Sequence, residues 1–149
     1  MPTIHLPPGF REFLRWLTHH GVEYLLVGGY AVGYHGYPRA TGDLDVWVAR
    51  TTENSARIVA ALEDFGVGSD RLNAELFLQP AKVLRMGLPP MRIDVHTEIS
   101  GVGFAEAYAA RIVEDLDGVE VAIIDLEHLK RNKAAAGRAK DLADLEELG

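Results

Sequence analysis

The sequence predicts an α/β or α+β fold: a mixed β-sheet flanked by helices, with two closing helices at the C-terminal end. Three observations predict it. Segments of helical period alternate with short apolar runs of strand character along the chain. Several of those runs, "VEYLLV" and "DLDVWVA" among them, are too short for buried helices and border turn residues. No internal repeat, low-complexity tract or linker interrupts the pattern, so residues 1–149 read as a single compact domain with a core of its own.

Taken in order, residues 8–20 space Phe10, Phe13, Leu14 and Leu17 at helical intervals, and Gly21 is the stop. Residues 22–27 read as a buried strand ending at Gly28-Gly29, and residues 30–36 as a short helix whose N-terminus faces that strand's end. Residues 37–42, "YPRATG", form a loop before a second strand over 43–49. A helix over 51–66 follows, N-capped by Thr51 or Thr52. Residues 67–80 favour no single element. "KVLRMG" and "MRIDVHTEI" read as two strands joined at Pro89-Pro90, and residues 103–112 as a helix. Strand character resumes on both sides of the Asp117-Gly118 turn signal. Residues 125–137 and 138–148 close the chain as two helices, the first capped by Asp125.

Composition narrows the classes. With 48% hydrophobic and 25% charged residues the chain has the balance of a soluble globular protein. It has no cysteine, which excludes disulfides and thiolate metal sites. The start "MPTIHLPPGFREF" lacks a basic segment followed by an apolar one, and no apolar run approaches membrane-spanning length, so the expectation is a cytoplasmic chain without a signal peptide. The formal charge of −7, from 22 acidic and 15 basic residues, argues against a partner that is a long nucleic-acid tract. Three of its lysines nevertheless gather near the end, Lys130, Lys133 and Lys140, with Arg131 and Arg138, in a stretch that no acid interrupts.

The chemistry centres on "VGGYAVGYHGYPRATGDLDVWV", residues 27–48. Asp43 and Asp45 share one face of a strand, because residues i and i+2 point the same way. Two like charges so close, partly removed from water, call for a proton or a cation between them. The Gly28-Gly29 pair precedes a helix whose first N–H groups lack internal partners and suit an anion such as phosphate. By itself a packing requirement explains such a glycine pair; the carboxylates on the next strand sharpen it. Phosphate, magnesium and carboxylates form one chemical unit, in which the metal bridges phosphate oxygens and the carboxylates hold the metal. A third carboxylate is available in "MRIDVHTEI", where Arg92, Asp94, His96 and Glu98 alternate with Ile93, Val95 and Thr97. Asp94 is either that ligand or a surface residue on a half-exposed strand, and Glu98 is the fallback.

These residues resemble the nucleotidyltransferase signature of the DNA polymerase beta superfamily: a Gly-Gly or Gly-Ser turn, a short helix, then Asp-x-Asp on a strand. "YHGYPRATGDLD" and the C-terminal "LEHLKRNKAAAGRAKDLADLEEL" are similar in particular to the small bacterial AbiEii-type toxin-like branch. The resemblance spans most of residues 22–148, with 67–90 unplaced. It implies a nucleotidyltransferase fold in which Gly28 and Gly29 line a triphosphate and Asp43 and Asp45 hold two Mg2+ ions, with Mn2+ as the substitute. It implies further that Asp94 holds the catalytic ion and helps deprotonate the acceptor hydroxyl. Many relatives carry Ser where this chain has Gly29, so phosphate contacts are expected to shift to Arg39 or Thr41.

Each neighbouring group has a plainer reading. Arg39 can pair with an aspartate instead of phosphate. His35 reads as a helix-end residue, and His5, His19, His20 and His128 as surface residues. Lys130 and Lys133 share a helix face; Lys133 and Lys140 are candidate nucleotide contacts, while Arg131 reads as solvated. Lys140, Asp141 and Asp144 form either an intrahelical charge network or a device in which Asp141 orients a lysine. The leading functional reading is transfer of a nucleoside monophosphate from an NTP to a hydroxyl acceptor: a tRNA end, a partner protein or a small molecule held by a homodimer. A toxin–antitoxin setting follows from the resemblance. The alternatives are a non-catalytic antitoxin or regulatory module of the same fold, and a phosphate-ester hydrolase.

Overall fold

The computed structural model describes residues 4–36, 41–68, 70 and 72–149. The elements follow the order α1 (Pro8–His19), β1 (Tyr24–Val27), α2 (Gly28–Tyr34), β2 (Asp43–Val48), α3 (Thr52–Phe65), a 3-10 turn (Ala74–Leu78), β3 (Val83–Met86), β4 (Arg92–His96), α4 (Phe104–Ala109), β5 (Ile112–Leu116), β6 (Val119–Ile123), α5 (Leu126–Ala136) and α6 (Ala139–Leu148). The six strands form one sheet in the order β3-β4-β2-β1-β6-β5. Pairing is mixed: β2–β4 and β1–β6 are parallel, the other three pairs antiparallel. The predicted α/β architecture with two closing helices is the one observed.

The core follows from the sequence periods. α1 starts with proline in its first turn, where a missing N–H costs nothing, and buries Phe10, Phe13, Leu14 and Leu17 on one face. That face packs on α3 and β6, with Phe13 edge-to-face against Phe65 at 5.3 Å. β1 is buried along its whole length, as expected of a strand between two neighbours. α3 is capped by Thr51, whose hydroxyl accepts from the Asn54 N–H. The buried Asn54 side chain in turn bonds the Glu23 backbone and the Ala49 carbonyl, tying the start of β1 to the end of β2.

Three local expectations change. The glycine pair is not a turn ahead of a helix; Gly28 and Gly29 are themselves the first residues of α2, and Val27 is the N-cap. The helix expected over 103–112 ends at Ala109, because Ile112 is drawn into the β5–β6 hairpin opposite Ile123. His128 is buried, not a surface residue: it is 7% exposed, with Nδ1 2.6 Å from Asp125 Oδ1 and Nε2 3.2 Å from Glu106 Oε1. No helix among the described residues is long and apolar enough to cross a membrane.

Candidate active site

Alternation on β2 sends Leu44 and Val46 into the core and leaves Asp43 and Asp45 on the opposite face. The parallel register of β2 with β4 then sets Asp43 beside Arg92, Asp45 beside Asp94, and Trp47 beside His96. On the far side of β4, antiparallel β3 sets Arg85 beside Asp94. On the far side of β2, Val27 of β1 is the partner of Asp45. One row across four strands therefore reads Arg85, Asp94, Asp45, Val27. Gly28 follows Val27 directly. Its φ is +67°, and a Cβ there would lie 2.9 Å from Cβ and Cγ of Asp45. Glycine is required twice over, for its backbone angle and for the close approach of α2 to the carboxylate.

This face opens into a cleft of about 400 Å³. Gly28, Gly29, Thr41, Asp43, Asp45, Asp94, Lys133 and Lys140, scattered over more than a hundred residues of sequence, all line it. Arg39 lies outside the described residues. Glu98 also lines the cleft, but is exposed and faces Arg50 at 3.8 Å.

The charges are unevenly compensated. The Asp94 side chain is 3% exposed, with Arg92 Nε at 3.2 Å and Arg85 Nε at 3.6 Å. Burial, and then the charge of Asp45, lift the Asp94 carboxyl above the ordinary carboxylate range, against the opposing pull of Arg92, Arg85 and His96. Arg92 also donates to Asp43 Oδ2 at 2.9 Å, and Thr41 Oγ1 donates to the Asp43 carbonyl at 3.1 Å. The Asp43 bond, then the Asp94 charge, hold the Arg92 guanidinium still more firmly protonated. His96 Nε2 donates to Asp45 Oδ1 at 2.8 Å.

The wall opposite is built by α5 and α6, which Gly137 joins at φ +66°. Lys133 is 3% exposed, and its Nζ lies 3.2 Å from Asp141 and 3.1 Å from Asp144. Asp141 thus orients a lysine, as one of the two sequence readings had it, and the lysine is Lys133 of the preceding helix. Arg138 Nε donates to the same Asp141 at 2.6 Å and also lines the cleft. Lys140 is exposed at the rim, while Lys130 donates to the Gly149 carbonyl at 3.1 Å and does not line the cleft. His35 donates Nε2–H to the Ile124 carbonyl at 2.8 Å, the structural helix-end role expected of it.

The donor set suits a divalent cation. Asp45, Asp94 and His96 each offer a ligand atom, and these atoms lie within 4.8 Å of one another. Asp94 Oδ1 is buried and accepts no hydrogen bond. Asp43 is on the same face but turned to Arg92. Arg85, Arg92, His96 and Arg138 were not singled out as site residues from sequence. The alternation of "MRIDVHTEI" carried the signal for Arg92 and His96, since both share a face with Asp94.

No protein-family model matches the chain, and no curated protein is significantly similar to it. Among solved structures it is similar to an antigenic nucleotidyltransferase-like protein from Paracoccidioides brasiliensis, at 15% identity and a TM-score of 0.52. The match covers 93% of this chain and 73% of that one. The chain thus has the fold of a nucleotidyltransferase-like protein.

Proposed function

We propose that the protein is a metal-dependent nucleotidyltransferase that moves a nucleoside monophosphate from an NTP to a hydroxyl acceptor and releases pyrophosphate. One observation carries the reading: the β2–β4 register brings Asp94 beside Asp45, on the face that also holds Asp43 and beside the Gly28-Gly29 segment. Three carboxylates thus crowd one face of the sheet at the cleft, and the fold likeness and the sequence signature support the same chemistry.

In this reading Asp43, Asp45 and Asp94 hold two divalent ions, Mg2+ or Mn2+. Bound there, the ions supply charge stabilisation for the α-phosphate and the departing pyrophosphate. The chain's own residues position the reactants. The amides of Gly28 and Gly29, with Thr41 and Arg39, contact the triphosphate. Asp94, placed beside Asp45 and lining the cleft, accepts the proton of the acceptor hydroxyl. Lys140 contacts the nucleotide from the rim; Lys133 contributes through the wall it forms with Asp141 and Asp144. The acceptor is a tRNA end, a partner protein or a small molecule held by a homodimer, and the resemblance of the C-terminal helices supports a toxin–antitoxin setting.

A second reading, a non-catalytic module of the same fold, is favoured by the arginines: Arg92 and Arg85 compensate Asp43 and Asp94 without any metal. Product analysis separates the two. Each NTP is incubated with Mg2+, the protein and a pool of tRNA or protein acceptors, and the products are resolved by mass spectrometry. The proposal predicts pyrophosphate and a nucleotidylated acceptor, both lost in Asp45→Asn. Orthophosphate instead of pyrophosphate would indicate a hydrolase, and no product at all the module.

A further inference from the structure

We propose that His96 is a metal ligand, and that with Asp45 and Asp94 it forms a mixed imidazole–carboxylate site that takes Mn2+ in preference to Mg2+. The proposal rests on the metal-dependent reading above, which itself needs only carboxylates at the cation. His96 follows Asp94 by two residues on β4, so strand alternation turns both toward the cleft that they line. On β2 the register partner of His96 is Trp47, which packs edge-to-face on Phe104 at 5.0 Å and is buried. The imidazole instead reaches diagonally to Asp45, 2.8 Å from Nε2 to Oδ1. A small octahedral cation holds its ligands at ~2.1 Å, which sets adjacent ligands about 3 Å apart. Asp45 and His96 already stand at that spacing.

A separate observation points into the same space. Asp94 is 2% exposed, yet its Oδ1 accepts no hydrogen bond; the Arg92 Nε beside it balances charge without that geometry. A buried carboxylate oxygen left in this way is destabilising, and a cation shared with Asp45 and His96 supplies what it lacks.

The imidazole decides which cation. Mg2+ is hard and favours oxygen, whereas nitrogen ligands add affinity for first-row transition ions. One nitrogen beside two carboxylates therefore strengthens Mn2+ binding and does little for Mg2+. Nε2 can bind the cation only without its hydrogen, so the imidazole coordinates as the neutral tautomer that carries its hydrogen on Nδ1, and the cation replaces the hydrogen that bridged Nε2 and Asp45 Oδ1.

The test uses the full chain and the metals alone. Wild type and His96→Gln are titrated with MnCl2, followed by the EPR signal of free Mn2+, and with MgCl2 by calorimetry. Pulsed EPR of the bound Mn2+ then reads nitrogen hyperfine coupling, and circular dichroism verifies that both proteins are folded. The proposal predicts a directly coordinated nitrogen that disappears in His96→Gln. It also predicts a loss of Mn2+ affinity of ~10-fold or more in that variant, with Mg2+ affinity changed by less than about 2-fold. Mn2+ bound without nitrogen coupling, and equally by His96→Gln, would overturn the role of His96 while leaving a carboxylate metal site standing. Binding of neither ion by wild type would overturn the metal-dependent reading, and His96 with it.

Discussion

Asp94 stands directly beside Asp45 across the parallel β2–β4 pair, buried and with its pKa raised by that burial and then by its neighbour's charge. A carboxyl whose pKa is raised by folding contributes stability while protonated and loses it as pH rises through the folded value. At neutral pH, ionised Asp94 is thus a cost to the fold. Asp94→Asn keeps the shape and removes the charge, so its Tm at pH 7 is expected to rise by about 2–4 °C, roughly 1 kcal/mol. The gain should shrink toward acid pH. Turnover should be lost. Thermal melts across the pH range check the first, and the product assay the second.

Gly28 carries a backbone angle and a contact that alanine cannot reproduce. Gly28→Ala must strain φ and push the Asp45 carboxylate aside, which is expected to cost about 2 kcal/mol. Because the displaced group is the proposed ligand, Mn2+ affinity should fall with stability. Gly36, at φ +120° but with open space around its Cβ position, is the control: Gly36→Ala should lose stability alone. Urea unfolding and Mn2+ titration of the two variants make the comparison.

Lys133 is held by Asp141 and Asp144 with all three side chains buried. Removing the lysine takes the buried cation from between Asp141, which keeps its bonds from Arg138, and Asp144, so Lys133→Met is expected to destabilise by about 3–5 kcal/mol. Burial acts to raise the Asp141 pKa, but the bonds from Arg138 and Lys133 outweigh it and the net shift is downward. A lowered carboxylate contributes stability above its unfolded pKa and loses it as pH falls through the folded value. The wild type should therefore lose this contribution in acid, and Lys133→Met should show a flatter acid limb in denaturant titrations.

His128 links α4 to α5 through Glu106 and Asp125, with Arg131 also on Glu106. Burial opposes its charged form, but the bonds to Asp125 and Glu106 prevail and raise its pKa. Its contribution is complete below the unfolded histidine value and is lost as pH rises through the folded one. As pH rises past the ordinary histidine value of about 6.5, the wild-type Tm should fall relative to that of His128→Gln, which lacks the titrating group. Melts of both proteins at stepped pH check the slope.

The β1–α2–β2 segment was legible in sequence because its signals are local: a glycine pair, a strand period of two, and charges where apolar residues belong. The meeting of Asp45 with Asp94 was legible as chemistry, since a third carboxylate was wanted, but not as geometry. It depends on a parallel register between strands almost fifty residues apart. The bond from His96 to Asp45 has the same origin. Lys133 looked like a free cation because its partners lie on the next helix, and the Gly137 turn decides which faces of α5 and α6 meet. His128 looked exposed for a like reason: Glu106, which meets it, is on α4, more than twenty residues earlier.

The most direct test of the central claim is calorimetric titration of ATP, GTP, CTP and UTP into the protein, with and without Mg2+ or Mn2+. The Asp43→Asn/Asp45→Asn double variant is titrated in parallel. The account predicts that at least one NTP binds the wild type only when metal is present, and that the folded double variant loses this binding. Binding that is indifferent to metal, or undiminished in the variant, would contradict it.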